Sequence, residues 1–300
     1  MANIIVTGAS GFIGEKLVSE LLSRGNKVFA ISTSFNQQNH NKNLVNLSCN
    51  LLDDNCVSLI IDKVSKNKIQ FFYHLAWVGV HNKSNDYFEV NYKIAERCIE
   101  LVSKLKCQYF IYSGSVYEYI KNLEYCCKSE GINYALSKKK IHRMLRENLA
   151  SLNIKLLSLY ISNIYGIRNN NIIYEIVFKM INKKEISLLT NGEQYCDFIY
   201  IDDVICALIY IIENSSRLCS LMKNIEIYIG NGIIVPLKEY ILKVEETLNI
   251  KYDILYGKNS MDEVDYSLVV YKNLNQISNF KYNTEFCEGV QRVKEGLNNE

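Results

Sequence analysis

Proline is nearly missing from this chain: Pro236 is the only one in 300 residues, beside 14 glycines. Turns must therefore be made by glycine and asparagine, and a proline-rich spacer or recognition segment is excluded. Neither sign of charge is in excess, with 34 Lys and Arg against 32 Asp and Glu and a formal net charge of +2. That balance gives no electrostatic case for nucleic acid or an anionic membrane as the main partner. No apolar run approaches the roughly 18–20 residues a membrane helix needs. The chain opens Met1-Ala2-Asn3-Ile4-Ile5-Val6-Thr7-Gly8 with no basic segment ahead of the apolar run, so a cytoplasmic protein without a secretory signal is expected. The four histidines (His40, His74, His81, His142) form no His-x3-His pair, and the ten cysteines contain no Cys-x-x-Cys. No metal site is expected. Cys126-Cys127 is the one cluster among otherwise scattered cysteines, which read as reduced, mostly buried small hydrophobes.

What is present is enough for a large core. Hydrophobic residues make up 48% of the chain, which rules out disorder and a disulfide-stapled miniprotein. Residues 3–7 form an apolar run, Leu17, Val18, Leu21 and Leu22 follow at helical spacing, and Lys27 to Ser32 is apolar again. This is one βαβ unit. The rhythm continues with strands expected at 44–51, 69–75, 107–113 and 155–161, and helices at 54–67, 87–105 and 135–152. Such alternation implies an α/β fold, with a parallel sheet covered on both faces. Beyond about residue 166 the rhythm weakens. Helices are expected at 172–183, 203–214, 236–248 and 285–297, and strands at 185–190 and 225–229.

Between the first strand and helix lies Gly8-Ala9-Ser10-Gly11-Phe12-Ile13-Gly14. One glycine allows the tight turn, the next lets backbone approach a pyrophosphate, and the third lets helix and strand pack closely. The Gly-x2-Gly-x2-Gly spacing resembles the extended branch of the short-chain dehydrogenase/reductase superfamily. That resemblance implies a Rossmann-type doubly wound sheet over residues 1–166, completed by 198–231. It also implies a smaller C-terminal substrate domain from 167–197 and 232–300. The cofactor-binding residues would be Gly8, Ser10, Gly11, Phe12, Ile13, Gly14, Ser32, Thr33, Ser34, Asn50, Leu51, Leu75, Ala76 and Trp77. The second strand ends in Ser32-Thr33-Ser34, hydroxyls where an NAD site usually carries a carboxylate against the ribose. NADP(H) is therefore preferred over NAD(H), with His40 or Lys42 as counter-charges to a 2′-phosphate.

Tyr134 and Lys138 are four residues apart, on one face of an expected helix. A nearby ammonium favours phenolate, bringing a tyrosine (pKa ~10) towards acid–base work at neutral pH. Among 22 tyrosines such a pair arises readily by chance. Upstream, however, Ser113-Gly114-Ser115-Val116-Tyr117 resembles the Ser-Ser/Ala-x-Val-Tyr segment of the same branch. The resemblance implies a triad of Ser113, Tyr134 and Lys138. In it Tyr134 exchanges a proton with a sugar oxygen, Ser113 hydrogen-bonds that oxygen, and Lys138 also binds the nicotinamide ribose. His74-Leu75-Ala76-Trp77 looks like the family's His-Leu-Ala-Ala, with His74 read as structural. Asn163-Ile164-Tyr165-Gly166, the Asp197–Val204 block and Ile229-Gly230-Asn231-Gly232 resemble segments of the sugar-nucleotide branch. Asp202 or Asp203 is expected to cap the helix that follows. Val78, Ser115, Asn163 and Arg168 are the expected substrate contacts. Trp77 is open to two readings, stacking on a pyranose face or packing.

Two positions depart from the family's pattern. Cys196 and Tyr160 stand where arginines usually contact the nucleotide, leaving Arg168, Lys179 or Lys183 to supply charge. The 4,6-dehydratases carry an Asp-Glu pair where this chain has Gly114 and Ser115, and dual epimerase–reductases carry a cysteine in place of Ser115. Hydride transfer with the triad alone remains. The expectation is NADPH-dependent reduction of the C4 keto group of a nucleoside-diphosphate-4-keto-6-deoxysugar. A 4-epimerase holding NAD, and a non-catalytic NADP-binding protein, stay open. Relatives pair helices like 87–105 and 135–152 across a two-fold, so a homodimer is expected.

Overall fold

A computed structural model describes residues 1–35, 40–79, 87–121, 130–167, 171–221, 225–259 and 263–298. Arg168, His81 and the Cys126-Cys127 pair lie outside the described residues. Two compact units are resolved. The first comprises Met1–Glu118, Asn122–Tyr160 and Leu208–Ile227, and the second Tyr119–Lys121, Ile161–Ala207 and Tyr228–Glu300.

In the first unit the chain runs β1 (Asn3–Thr7), α1 (Phe12–Ser23), β2 (Lys27–Ser32), β3 (Leu44–Ser48), α2 (Cys56–Val64) and β4 (Phe71–His74). It continues through α3 (Tyr87–Leu105), β5 (Tyr109–Ser115), α4 (Glu130–Ser151) and β6 (Lys155–Ile161). A strand at Ile225–Ile229 closes a seven-stranded sheet on the far side of β6, in which β6 is followed by β5, β4, β1, β2 and β3. The pairs β1–β2, β1–β4, β2–β3 and β4–β5 are parallel. Ile4, Ile5, Val6, Val28, Phe72 and Phe110 have no exposed surface, as befits strands covered on both faces. Strand order reverses at β1, between β4 and β2. Open α/β sheets bind ligands at that point, outside the carboxyl ends of the strands.

Differences from the expected boundaries are local but matter for the site. β5 runs on to Ser115, so Ser113 and Ser115 share one face of an extended strand, with Gly114 on the other. α4 begins at Glu130, which places Tyr134 in its second turn rather than its first. The helix expected at 203–214 spans Ile201–Glu213. Asp203 therefore sits inside the first turn instead of at the cap. Its carboxylate accepts the N–H groups of Asn283 (3.0 Å) and Thr284 (2.9 Å) and ties the late chain to that helix.

The second unit is built around an aromatic cluster. The Tyr240 ring lies edge-on to Phe198 at 4.8 Å and to Phe286 at 4.7 Å, and Phe286 meets Tyr165 at 5.3 Å. Asp197, with no exposed surface, accepts the Tyr228 hydroxyl and the Gly232 N–H (2.7 Å). Burial pushes its carboxyl up to about 7, although both hydrogen bonds oppose the shift. The aspartate of the Asp197–Val204 block thus holds the Ile229–Gly232 loop, an organising role within this unit.

Candidate active site

The glycine turn has the geometry of a phosphate cradle. Gly8 has φ +68°, and a Cβ there would lie 2.7 Å from the Ala76 nitrogen, so the turn presses against the backbone leaving β4. A Cβ on Gly14 would lie 2.2 Å from the Gly8 carbonyl oxygen, so α1 can start this close to β1 only without a side chain. Gly11 caps α1 without any side-chain hydrogen bond, which leaves the first-turn N–H groups directed outward from the helix. A nicotinamide dinucleotide fits such a cradle, because the turn lies close against the backbone leaving β4 and the N-terminus of α1 carries no capping side chain.

The hydroxyls at the end of β2 are joined to this turn. Ser10 Oγ and Ser32 Oγ are 2.5 Å apart, while Thr33 and Ser34 are exposed. At the end of β3, Asn50 Oδ1 accepts the Leu52 N–H (3.1 Å), shaping the turn and leaving the exposed amide nitrogen to face outward. Leu51 is buried in the core beneath it. On the β4 side, Thr7 Oγ1 receives the Ala76 N–H (3.3 Å) and lies 3.2 Å from His74 Nδ1. Burial, with some help from the Lys138 charge, takes His74 down to about 3. It is a neutral structural residue, as its sequence context suggested.

Asn91, which the sequence did not single out, clamps the loop after β4. Its amide accepts the Val78 N–H and donates to the Val78 carbonyl, both at 2.9 Å. Only a sequence separation of 13 residues links the two, so no local pattern marked it. The clamp leaves the Val78 side chain exposed and sends Trp77 inward. Trp77 packs edge-on to Tyr134 (5.6 Å), and Lys138 Nζ lies 3.8 Å from its ring centre. Of the two readings of Trp77, the structure displays the packing one.

Tyr134 and Lys138 are brought together with both serines of β5. Lys138 Nζ donates to the Ser113 carbonyl (2.7 Å). Ser115, on the same strand face as Ser113, accepts the Tyr117 N–H on its hydroxyl at 3.3 Å. Ser113 thus contributes its backbone carbonyl to the lysine, and Ser115 is the neighbouring serine expected as a substrate contact. Burial draws Lys138 down to about 7, partly opposed by the Glu118 carboxylate. Burial also raises Tyr134 well above its ordinary range. The nearby Ser115 hydroxyl works against that rise, and Glu118 and Tyr117 add to it.

Gly114 is tightly constrained. A Cβ there would lie 2.7 Å from Glu118 Oε1 and 2.9 Å from the Leu159 carbonyl oxygen. No side chain, carboxylate included, fits at this position while Glu118 is in place.

In the second unit, Asn163 Nδ2 donates to the Asp197 carbonyl (3.2 Å), so this expected substrate contact also braces its own loop. Cys196 is buried, and its thiol is pushed up to about 12 by desolvation and the neighbouring Asp197, so it supplies no charge. Tyr160, the other position lacking an arginine, belongs to the first unit and places its hydroxyl 3.2 Å from His142 Nδ1. Among the described residues no group of His, Cys, Asp and Glu is arranged to hold a metal, and no helix is long and apolar enough to cross a membrane.

Comparison with known proteins agrees with this architecture. The family model described as the NAD dependent epimerase/dehydratase family matches residues 4–220. CDP-abequose synthase of Salmonella typhimurium is 24% identical, covering 98% of this chain and 98% of that protein. UDP-N-acetylglucosamine 4-epimerase from Methanobrevibacter ruminantium superposes with a TM-score of 0.78 at 21% identity, over 100% of this chain and 99% of its own. GDP-mannoheptose C4 reductase from Campylobacter jejuni, solved with NADP bound, superposes with a TM-score of 0.75 at 20% identity, over 99% and 98%. At these identities the superpositions speak for the fold alone. With the glycine cradle, the strand order and a family match over most of its length, the chain belongs to the NAD dependent epimerase/dehydratase family of extended short-chain dehydrogenases/reductases.

Proposed function

We propose that the protein is an NADPH-dependent reductase of the C4 keto group of a nucleoside-diphosphate-4-keto-6-deoxysugar. The observation that carries the reading is the makeup of the β5–α4 site. Ser113 and Ser115 on one strand face lie there with Tyr134 and Lys138, and among the described residues the carboxylate packed behind them, Glu118, is buried and turned towards His142. Dehydration or C3/C5 epimerisation needs an additional acid–base group at the sugar ring. Reduction of a ketone needs only a hydride and a proton.

The bound dinucleotide would supply the hydride. Tyr134 then gives its phenolic proton to the C4 oxygen as that oxygen gains negative charge, and the carbonyl becomes an alcohol. The raised proton affinity of the half-buried Tyr134 keeps it protonated before the step. Ser113, at the position the family resemblance assigns, would hydrogen-bond the same oxygen, with Ser115 on the same strand face as a substrate contact. Lys138, held by the Ser113 carbonyl and Trp77, sits within reach of a ribose hydroxyl and stabilises the phenolate left behind. Asn163 and Arg168 are the proposed nucleotide-sugar contacts, together with Val78.

The cofactor choice rests on the hydroxyl-only end of β2, which sets no carboxylate against a 2′-phosphate. The 24% identity to a CDP-abequose synthase leans towards the same reading. A 4-epimerase holding NAD is the second reading, favoured by a 23% identity to a putative UDP-glucose 4-epimerase. A cytoplasmic homodimer paired through α3 and α4 completes the proposal. The test is incubation with NADPH and a panel of nucleoside-diphosphate-4-keto-6-deoxysugars. Stoichiometric loss of NADPH absorbance with a product two mass units heavier is expected. Protein that purifies with NAD and equilibrates two 4-hydroxy sugars without added cofactor would overturn it.

A further inference from the structure

Behind the Ser–Tyr–Lys cluster lies a buried polar chain that the proposed reaction does not use. Tyr134, Lys138 and His142 are spaced by four residues along α4 and so form one stripe. Tyr112 of β5 packs between the last two, with its ring 5.2 Å from Lys138 Nζ and 5.5 Å from the His142 ring. Glu118, on the turn that follows β5, inserts its carboxylate beneath this stripe. Oε1 accepts the Ser115 N–H at 3.0 Å, and Oε2 is 3.1 Å from His142 Nδ1. His142 Nε2 meets Ser158 Oγ at 2.6 Å on β6, and the Tyr160 hydroxyl is 3.2 Å from Nδ1. Glu118, His142 and Ser158 are all buried. Arg146 of α4 and Glu226, on the sheet's edge strand, line a cavity of about 260 Å³ on the outer side of His142.

Carboxylates are seldom buried without a partner, because desolvation is costly. Here the cost is met by one backbone N–H, the imidazole and the charge of Lys138. None of these bonds is needed to close the sheet, and Gly114 is kept free of a side chain so that the carboxylate can lie there. We propose that Glu118, oriented by His142, is a positioning residue that holds the Ser115 end of β5 by its backbone N–H and sets a negative charge behind the Tyr134–Lys138 pair.

The proposal rests on the reading of Tyr134 and Lys138 as the reacting pair. A buried negative charge near both residues favours the ammonium on one and the neutral phenol on the other, the state that donates a proton to an alkoxide. Burial pulls Lys138 down, and Glu118 is the group that opposes this, with the net value at about 7. The charged and titratable groups around Glu118 are Lys138, His142 and Tyr134 from α4, Tyr112 from β5, Tyr117 from its own turn and Tyr160 from β6. Of these only Lys138 carries a fixed role in the reaction and a shift that Glu118 counteracts.

The direct test needs no turnover. Lysine labelled with ¹³C at Cε should show one resonance titrating near neutral pH, absent in Lys138→Met, against a background of lysines near pH ~10.4. In Glu118→Gln, which keeps the shape and the acceptor for the Ser115 N–H, that titration should move down by about half a pH unit or more. Glu118→Asp should restore part of the shift. With a 4-ketosugar substrate, the alkaline limb of kcat should move in the same direction while the NADPH dissociation constant stays within about twofold. An unchanged Lys138 titration in a folded Glu118→Gln protein overturns the proposal whatever the enzyme's substrate is. If wild type consumes no NADPH with any 4-ketosugar, the reductase reading fails instead, and the titration still decides the role of Glu118.

Discussion

Lys138 Nζ lies 3.8 Å from the centre of the Trp77 indole, closer than to any other aromatic ring in the site. The sole tryptophan of the chain therefore shields the lysine and, through its 5.6 Å edge contact, also packs on Tyr134. Desolvation is the larger influence on Lys138. Trp77→Ala should thus let water in and move the Lys138 titration up from neutral pH. Losing the cation–π contact should cost about 0.5–2 kcal/mol, a roughly 2- to 30-fold drop in kcat/KM. A Lys138 titration that stays put or falls would show that the indole does not control its hydration.

Tyr134→Phe removes the proton donor and leaves the glycine cradle and Lys138 untouched. Turnover should drop by about 10²–10⁴, with NADPH binding within a few-fold of wild type. Stopped-flow absorbance and cofactor fluorescence measure the two separately. Retention of more than about a tenth of the rate would remove Tyr134 from its assigned role.

At the end of β2, Thr33 is exposed whereas Ser32 is bonded to Ser10. Thr33→Asp is therefore the cleaner probe of cofactor choice. Wild type should bind NADPH at least tenfold more tightly than NADH (~1.4 kcal/mol), and the variant should reverse the order. Calorimetric titration with both cofactors checks this, and equal affinities in the wild type would show that the strand end does not discriminate.

Gly114→Asp puts a carboxylate where dehydratases of this family carry one. A Cβ at 2.7 Å from Glu118 Oε1 cannot be relieved by the backbone of Leu159, 2.9 Å away on the other side. The variant should be destabilised by at least about 1–3 kcal/mol in urea unfolding. It should show no dehydratase activity on 4-hydroxy sugar nucleotides. A variant as stable as wild type would mean that Glu118 can swing out of its pocket.

Asp197 offers a pH test in the second unit. Its carboxyl, ordinarily near 3.8, is raised to about 7 by burial. A raised folded-state value means the proton is held more tightly folded than unfolded. The associated stability is fully present below about pH 4 and is lost as pH rises through about 7. Asp197→Asn should flatten the decline in Tm between about pH 4 and 7. A variant whose Tm falls as steeply as that of wild type would assign the decline to other groups.

The helix expected over 87–105 and the strands expected over 27–32, 155–161 and 225–229 match the structure to the residue. Their apolar periods reflect burial on one face or two, which is a local property of the chain. The glycine cradle and the Tyr134/Lys138 spacing were legible for the same reason. A tight phosphate turn needs residues without side chains, and one helical turn is four residues long. Short strands in the second unit, such as Asn163–Tyr165 and Phe198–Tyr200, lie beyond what periodicity can mark, since three residues hold no pattern.

Tertiary structure alone decided that Lys138 meets the Ser113 carbonyl, that Trp77 covers Lys138, and that Glu118 and His142 face each other. Glu118 and His142 lie 24 residues apart, on a turn after β5 and in the middle of α4. Nothing in either segment records the other. Neither stands out in the sequence, where His142 is only one of four histidines. Only the packing of α4 on β5 removes both from water, and the cost of leaving a buried carboxylate and imidazole unpaired is what makes them find each other.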